Sequence, residues 1–122
     1  EYFSKKIFSY PKPSSLISTF SQISVDNDDI ILDFFAGSGS TGHAITKLNL
    51  KDSKYRKYIL VQIPEAIDEK SEAFKAGLKK ISDVTIERNK RVINKIIEEM
   101  RNAQPDLFAE YKEGSEDLKG LK

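Results

Sequence analysis

The chain has 122 residues, 39% of them hydrophobic, which suits one small domain with a modest core and leaves no room for two. Its 20 Lys+Arg against 19 Asp+Glu residues exclude the broad basic field of a stand-alone nucleic-acid binder, so any DNA contact must be local. The chain has no cysteine and one histidine, so it can form neither disulfides nor a zinc site. No apolar stretch approaches the ~20 residues of a membrane span, and we therefore expect a cytoplasmic protein.

The N-terminal part predicts a short helix after an extended approach. The chain begins at Glu1 without an initiator Met, so we expect a piece of something longer. Pro11 and Pro13 block a helix before position 14, and Ser14 or Ser15 can cap one there. Its apolar residues are spaced to share one helical face: Leu16, Ile17, Phe20 and Ile23.

Two apolar runs then predict parallel strands. After a polar turn at 26–29, the run at 30–34 is typical of a buried strand, and a second at 58–63 ends at Pro64. Between them, Ser40 or Thr41 can cap a helix that continues to about Asn49. The order strand, helix, strand predicts an α/β fold with one right-handed crossover.

The C-terminal third predicts one long helix. Residues 65–82 should be irregular with a short helical turn, and a helix capped by Asp83 should run to about Asn102. Its apolar stripe is Val92 or Ile93, Ile96, Ile97 and Met100. The run at 88–91 is favoured as a solvated face over a phosphate contact, and the charged tail at 105–122 is expected to be mobile.

The segment from Asp33 to Gly42 is the most informative one. It places an acid at a strand end, then Gly37-x-Gly39-x-x-Gly42, then a helix start. Glycine permits positive φ and removes Cβ atoms that would hold a ligand away from the backbone. The N–H groups of the helix start favour an anionic group, either a pyrophosphate or a methionine carboxylate. The segment therefore predicts a nucleoside-binding loop.

Two ligands, and no ligand at all, remain open from these residues. An NAD-type dinucleotide site needs a carboxylate at the end of the second strand, where this chain has Gln62, with Glu65 beyond a proline. Asp33 is instead suited to the positively charged amino group of S-adenosylmethionine. A chain that folds but binds nothing is the third possibility. His43 we expect to be a surface or half-buried helix residue and not catalytic.

Three blocks in this order resemble the β-type amino-methyltransferases of DNA, most closely the modification subunits of type III restriction systems. They lie at 11–16 (Lys12-Pro13-x-x-Leu16), 33–42 and 58–65. The resemblance implies a partial Rossmann-like methyltransferase fold, a short parallel sheet flanked by helices, with residues 1–104 binding S-adenosylmethionine. The cofactor residues that it implies are Lys12, Pro13, Asp33, Phe35 (and not Phe34), Gly37, Ser38, Gly39, Ser40, Gln62 and Glu65.

Two departures and one absence qualify this resemblance. Ser40 stands where the family usually has threonine, and Gly42 where it has alanine. The family's catalytic Asp-Pro-Pro-Tyr motif is absent, since no two of the four prolines are adjacent. The resemblance thus implies a chain inactive alone, which needs upstream catalytic and target-recognition regions to methylate adenine in DNA and has a restriction subunit as a further partner. We also expect exposed apolar surface where those regions would pack.

Overall fold

The structure is a computed structural model that describes Ile7 and residues 11–105. The predicted tail beyond Pro105 lies outside the described residues. Within them the elements are α1 (Ser14–Ser24), β1 (Ile30–Asp33), α2 (Ser40–Asp52), β2 (Lys57–Leu60), α3 (Glu72–Lys75) and α4 (Ile81–Ala103). The chain divides after Val92 into two compact units, of which the first contains every element but the end of α4. None of the described helices is both long and apolar enough to cross a membrane.

The predicted parallel pairing of β1 and β2 is confirmed, with Ile30 opposite Lys57 and Leu32 opposite Ile59. β2 ends at Leu60, well before Pro64, so the prediction that this proline ends the strand is wrong. The reason is that the partner strand β1 stops at Asp33. The backbone of Val61 still donates to the Asp33 carbonyl at 2.8 Å and accepts from the Ala36 N–H at 3.1 Å. β1 offers the residues after Val61 no further strand backbone to pair with.

The strands are not buried as predicted, because in the described part of the chain nothing covers one face of the sheet. Side chains alternate between the two faces of a strand. Ile30, Leu32 and Ile59 fall on the same face and are each more than half exposed. Apolar surface of this kind marks a place where another element packs. The expectation of exposed apolar surface is therefore confirmed for the described residues.

Helix α1 begins at Ser14, as the two prolines predict, but neither serine caps it. Pro13 occupies the cap position, and its carbonyl accepts from the N–H of Leu16 at 3.2 Å. Three of the four residues on the predicted apolar face are exposed, Phe20 to 59%, whereas Ser21 is buried. Small serines let α1 approach α2 closely, and the hydroxyl of Ser18 donates to the Ala44 carbonyl at 3.5 Å.

Helix α2 is the centre of the first unit. It carries buried Ala44, Ile45 and Leu48, and it extends three residues beyond the predicted end. Arg56, which is buried, secures that end: its guanidinium contacts the Asp52 carboxylate at 2.8 Å, and its Nε donates to the Val25 carbonyl at 3.2 Å. The hydrogen bond from Arg56 lowers the pKa of Asp52.

The segment before α4 is irregular with one short helix, as predicted, and adds an antiparallel bridge between Ala66 and Lys80 that the sequence did not suggest. Helix α4 starts at Ile81, so Asp83 lies in the first turn and is not the N-cap. Its carboxylate instead accepts from the backbone N–H of Lys79 at 3.0 Å and of Lys80 at 2.9 Å. Val84 and Val92 are buried within the first unit.

In the second unit the described residues form the last turns of α4. Ile96 is buried, while Ile93, Ile97 and Met100 are exposed to about 40%. The residues of the predicted apolar stripe therefore lie on one helix, as expected, but only Val92 and Ile96 of them are buried.

We predict that Gly42→Ala destabilises the fold, although alanine is the better helix former by about 0.5–1 kcal/mol. A Cβ on Gly42 would lie 2.9 Å from the Tyr58 ring, closer than real Cβ contacts, and 3.0 Å from the Leu60 side chain, tighter than nine in ten of them. Overpacking of this kind costs about 1–3 kcal/mol, so the net free energy of unfolding should fall. Urea denaturation measures it, with Lys51→Ala on the exposed side of α2 as the control. An increase in stability would contradict the packing seen here.

Candidate functional site

A cavity of about 540 Å³ opens at the carboxyl end of β1. This volume lies within the range of small-molecule sites. The cavity is formed where strand β1 ends, the glycine loop begins and α2 starts. Its described lining is Lys12, Ile17, Ile31, Leu32, Asp33, Phe34, Phe35, Ala36, Gly37, Ser38, Ser40 and Thr41. Six of the ten predicted cofactor residues are therefore brought together.

Asp33 is held rigidly at the strand end. Its Oδ1 accepts from the Phe35 N–H at 3.0 Å, and its Oδ2 accepts from the Thr41 hydroxyl at 2.5 Å. A carboxylate offers about four acceptor positions, so two bonds leave capacity for a cationic ligand group. Thr41, which the sequence suggested as a helix cap, thus orients the acid instead.

Both aromatic residues after Asp33 lie on the cavity wall. The Phe34 and Phe35 rings have centroids 5.0 Å apart, and both side chains are exposed. We expected only Phe35 to border the cofactor, and the structure places Phe34 on the cavity wall as well. The adjacent rings offer an apolar surface on which a planar ring could lie.

The loop turns through two glycines in the left-handed region, Gly37 at φ 52° and Gly39 at φ 77°. Gly39 is the N-cap of α2, so neither Ser40 nor Thr41 caps that helix. The absent Cβ of Gly39 makes room for α4 and not for a ligand: an added Cβ would lie 3.0 Å from the Thr85 carbonyl oxygen. Gly39 is accordingly missing from the described lining.

Helix α4 holds the loop from behind, which sequence reasoning missed. The Thr85 hydroxyl donates to the Gly37 carbonyl at 2.5 Å, and Arg88 Nη1 donates to the hydroxyl oxygens of Ser38 at 2.9 Å and Ser40 at 3.2 Å. The solvated-face interpretation is wrong for Arg88. A possible signal was the polar set at 85, 88 and 89, which helical spacing places on one face.

The solvated-face interpretation is also wrong for Asn89, whose Nδ2 lies 3.4 Å from the Gly39 carbonyl oxygen, and it holds for the remaining two residues of the run. Lys90 and Arg91 are exposed, and Arg91 forms an ion pair with Glu87 at 2.6 Å.

Gln62 also supports the loop. Its Oε1 accepts from the Gly37 N–H at 2.7 Å, and its amide nitrogen donates to the Ile63 carbonyl at 3.1 Å. Gln62, Pro13 and Glu65 are not among the described lining residues, and the latter two are exposed.

His43 is buried, at 5% exposure, and is not the surface or half-buried residue that we expected. Its Nδ1 lies 3.4 Å from Arg88 Nη2, which requires this nitrogen to be the acceptor. Burial, with the positive charges of Arg88 and Lys47, lowers the pKa of His43 from 6.5 to about 4. The ring is thus neutral at physiological pH.

This shift predicts a pH-dependent stability. The unfolded chain takes up a proton on His43 below pH 6.5 and the folded chain only near pH 4, so stability is full above 6.5 and falls between those values. The loss should reach about 3 kcal/mol. Urea unfolding at pH 7.5 and 4.5 measures it, above the range where Asp52 contributes. His43→Gln should remove this pH dependence, and an unchanged dependence would contradict the assignment.

Comparisons with known proteins identify the family to which the chain is similar. A family model described as DNA methylase matches residues 1–98. The chain is 40% identical over 96 residues to the StyLTI Mod subunit of a type III restriction-modification enzyme from Salmonella typhimurium, which covers 79% of this chain and 15% of that protein. It is also 40% identical over 90 residues to the EcoPI Mod subunit of such an enzyme from Escherichia phage P1, covering 74% and 14%.

A relative outside the type III systems matches as well. The type II methyltransferase M.KpnI from Klebsiella pneumoniae is 43% identical over 86 residues, 70% of this chain and 21% of that protein. The chain therefore spans 14% to 21% of the length of these three relatives. The resemblance predicted from the three blocks is confirmed, and the chain belongs to the DNA methylase family.

Proposed function

We propose that this chain is the S-adenosylmethionine-binding part of a DNA adenine-N6 methyltransferase of the type III kind. One observation carries the proposal: the Asp33 carboxylate, fixed by two hydrogen bonds, lies in the wall of the cavity at the end of β1. The matched family consists of DNA methylases, which need a methyl donor.

The cavity residues fit this cofactor in three respects. The Asp33 carboxylate suits a positively charged amino group. The rings of Phe34 and Phe35 suit a flat adenine. The start of α2, with the hydroxyls of Ser38 and Ser40, suits a carboxylate. When bound, S-adenosylmethionine supplies an electrophilic methyl group on its sulfonium, and the residues of this chain bind and orient it.

An NAD-type ligand is the less favoured alternative. A dinucleotide site places a carboxylate at the end of the second strand to hold the ribose. Gln62 stands there, and both ends of its amide are engaged within the chain. Glu65 is exposed and is not among the described lining residues.

The complete enzyme extends the proposal beyond this chain. We assign the binding part to residues 1–104, in a partial Rossmann-like fold, and propose that upstream regions supply the catalytic Asp-Pro-Pro-Tyr motif and recognise the DNA site. DNA and a restriction subunit are the proposed partners, in the cytoplasm. The chain alone holds no such motif and should not transfer methyl groups.

Titration by NMR tests the cofactor directly. We expect S-adenosylmethionine and its demethylated product, S-adenosylhomocysteine, to shift the amide signals of Gly37 and Ser38, and NAD to leave them in place. A response to NAD alone would favour the dinucleotide alternative. If no ligand shifts these signals, either in this chain or when it is joined to its upstream half, the chain is a folded piece without a cofactor and the proposal is wrong.

A further inference from the structure

We propose that Thr85, Arg88 and Asn89 of α4 are positioning residues that preorganise the glycine loop for the cofactor and direct a hydroxyl proton into the cavity. The inference deepens the proposed function and rests on it for the identity of the ligand. We call these three residues the α4 clamp. None of them is among the described residues that line the cavity, so they act through the loop.

The α4 clamp reaches consecutive parts of the loop. Thr85 donates to the Gly37 carbonyl at 2.5 Å, and Asn89 Nδ2 lies 3.4 Å from the Gly39 carbonyl. Asn89 is itself held by a 2.8 Å bond to the Thr85 carbonyl. Residues separated by three and four positions share one helix face, so a rigid helix presents all three side chains together.

The clamped segment is the part of the site with the most backbone freedom. Gly37 and Gly39 both adopt left-handed backbone angles, and glycine loses more conformational entropy on ordering than any other residue. The apparent affinity for a ligand falls in proportion to the fraction of molecules in the binding-competent conformation. Fixing the two carbonyls from behind therefore raises that fraction before the ligand arrives.

Arg88 adds a constraint on the direction of hydrogen bonding. A guanidinium donates only, so the Ser38 and Ser40 oxygens must act as acceptors toward it. The two oxygens lie 3.1 Å apart, and one of the two hydroxyl protons bridges them. The other proton cannot point at Arg88. Because both serines line the cavity, it is available to a carboxylate or another acceptor there.

Variants of the full 122-residue chain test the α4 clamp. Thr85→Val and Arg88→Met remove the donors, Thr85→Ser retains its hydroxyl, and Arg91→Met is the control on the exposed face of the same helix. We expect the first two to weaken S-adenosylhomocysteine binding by about fivefold to tenfold in calorimetry. Thr85→Ser and Arg91→Met should stay within about twofold of the wild type.

Hydrogen exchange of the ligand-free chain provides a readout independent of binding. In Thr85→Val and Arg88→Met the amides of Gly37 and Gly39 should exchange at least about tenfold faster, while those of Ile45 and Leu48 in α2 keep their rates. Uniform acceleration would reveal a merely structural role and overturn the inference, as would unchanged loop exchange.

The two proposals can fail separately. If the chain fails to bind S-adenosylhomocysteine both alone and joined to its upstream half, the proposed cofactor is wrong, while the exchange rates still decide whether α4 orders the loop. If the wild type binds and both donor-removing variants bind equally well, the α4 clamp is wrong and the proposed function stands.

Discussion

Asp33→Asn should lower the affinity of the chain for S-adenosylmethionine about 10- to 100-fold, the range expected when a charge-assisted hydrogen bond is lost. Asparagine is nearly isosteric and can still accept from the Phe35 N–H, and the Thr41 hydroxyl can reverse its role toward the new amide. The substitution therefore removes the charge while retaining the loop. Calorimetric titration measures the change.

Asp68→Asn is the matched control for this measurement. Asp68 is an exposed carboxylate that accepts from a backbone N–H two residues later, as Asp33 does, but it does not line the cavity. The affinity of the Asp68→Asn variant for S-adenosylmethionine should equal that of the wild type. Equal binding by Asp33→Asn and the wild type would show that the acid does not meet the cofactor.

Gly39→Ala should have the largest effect on folding, a loss of about 2–5 kcal/mol. The φ of 77° costs an L-residue about 1–2 kcal/mol. The new Cβ would also press on the Thr85 carbonyl oxygen at 3.0 Å and on the Asn89 side chain, and forced contacts of this kind add about 1–3 kcal/mol. Urea denaturation followed by circular dichroism measures the free energy of unfolding.

Gly77→Ala separates the two contributions. Gly77 has a φ of 89°, but an added Cβ would meet nothing within 4 Å. It should lose only the backbone part, about 1–2 kcal/mol. If the two variants were equally stable, the close approach of α4 to the loop would be wrong, and with it the packing that supports the α4 clamp.

Much of the local structure could be predicted because it depends on neighbours in sequence. Prolines at 11 and 13 fix where α1 starts, and the two apolar runs give two parallel strands, both starts and the end of the first to within one residue. The position of the cavity could be predicted from the acid at the strand end and the glycines after it. Glycine permits the tight turn of the backbone by which the chain leaves the strand there.

The remainder depends on contacts distant in sequence. Arg88 and Thr85 lie about 50 residues from the loop that they bind. Helical spacing groups them on one face, but it does not tell that this face turns toward the loop. α1 shows the same limit. Hydrophobic periodicity marks Phe20 as a core residue, but the serine side is the one that meets α2. Here the close approach permitted by small side chains outweighs apolar patterning.

Leu32 belongs both to the uncovered sheet face and to the lining of the cavity. Whatever packs over that face must therefore rest against the cavity wall. By thermodynamic linkage, ligand occupancy and such packing then alter each other's equilibrium by the same factor. The measured dissociation constant should accordingly vary with protein concentration wherever copies of the chain associate through this face.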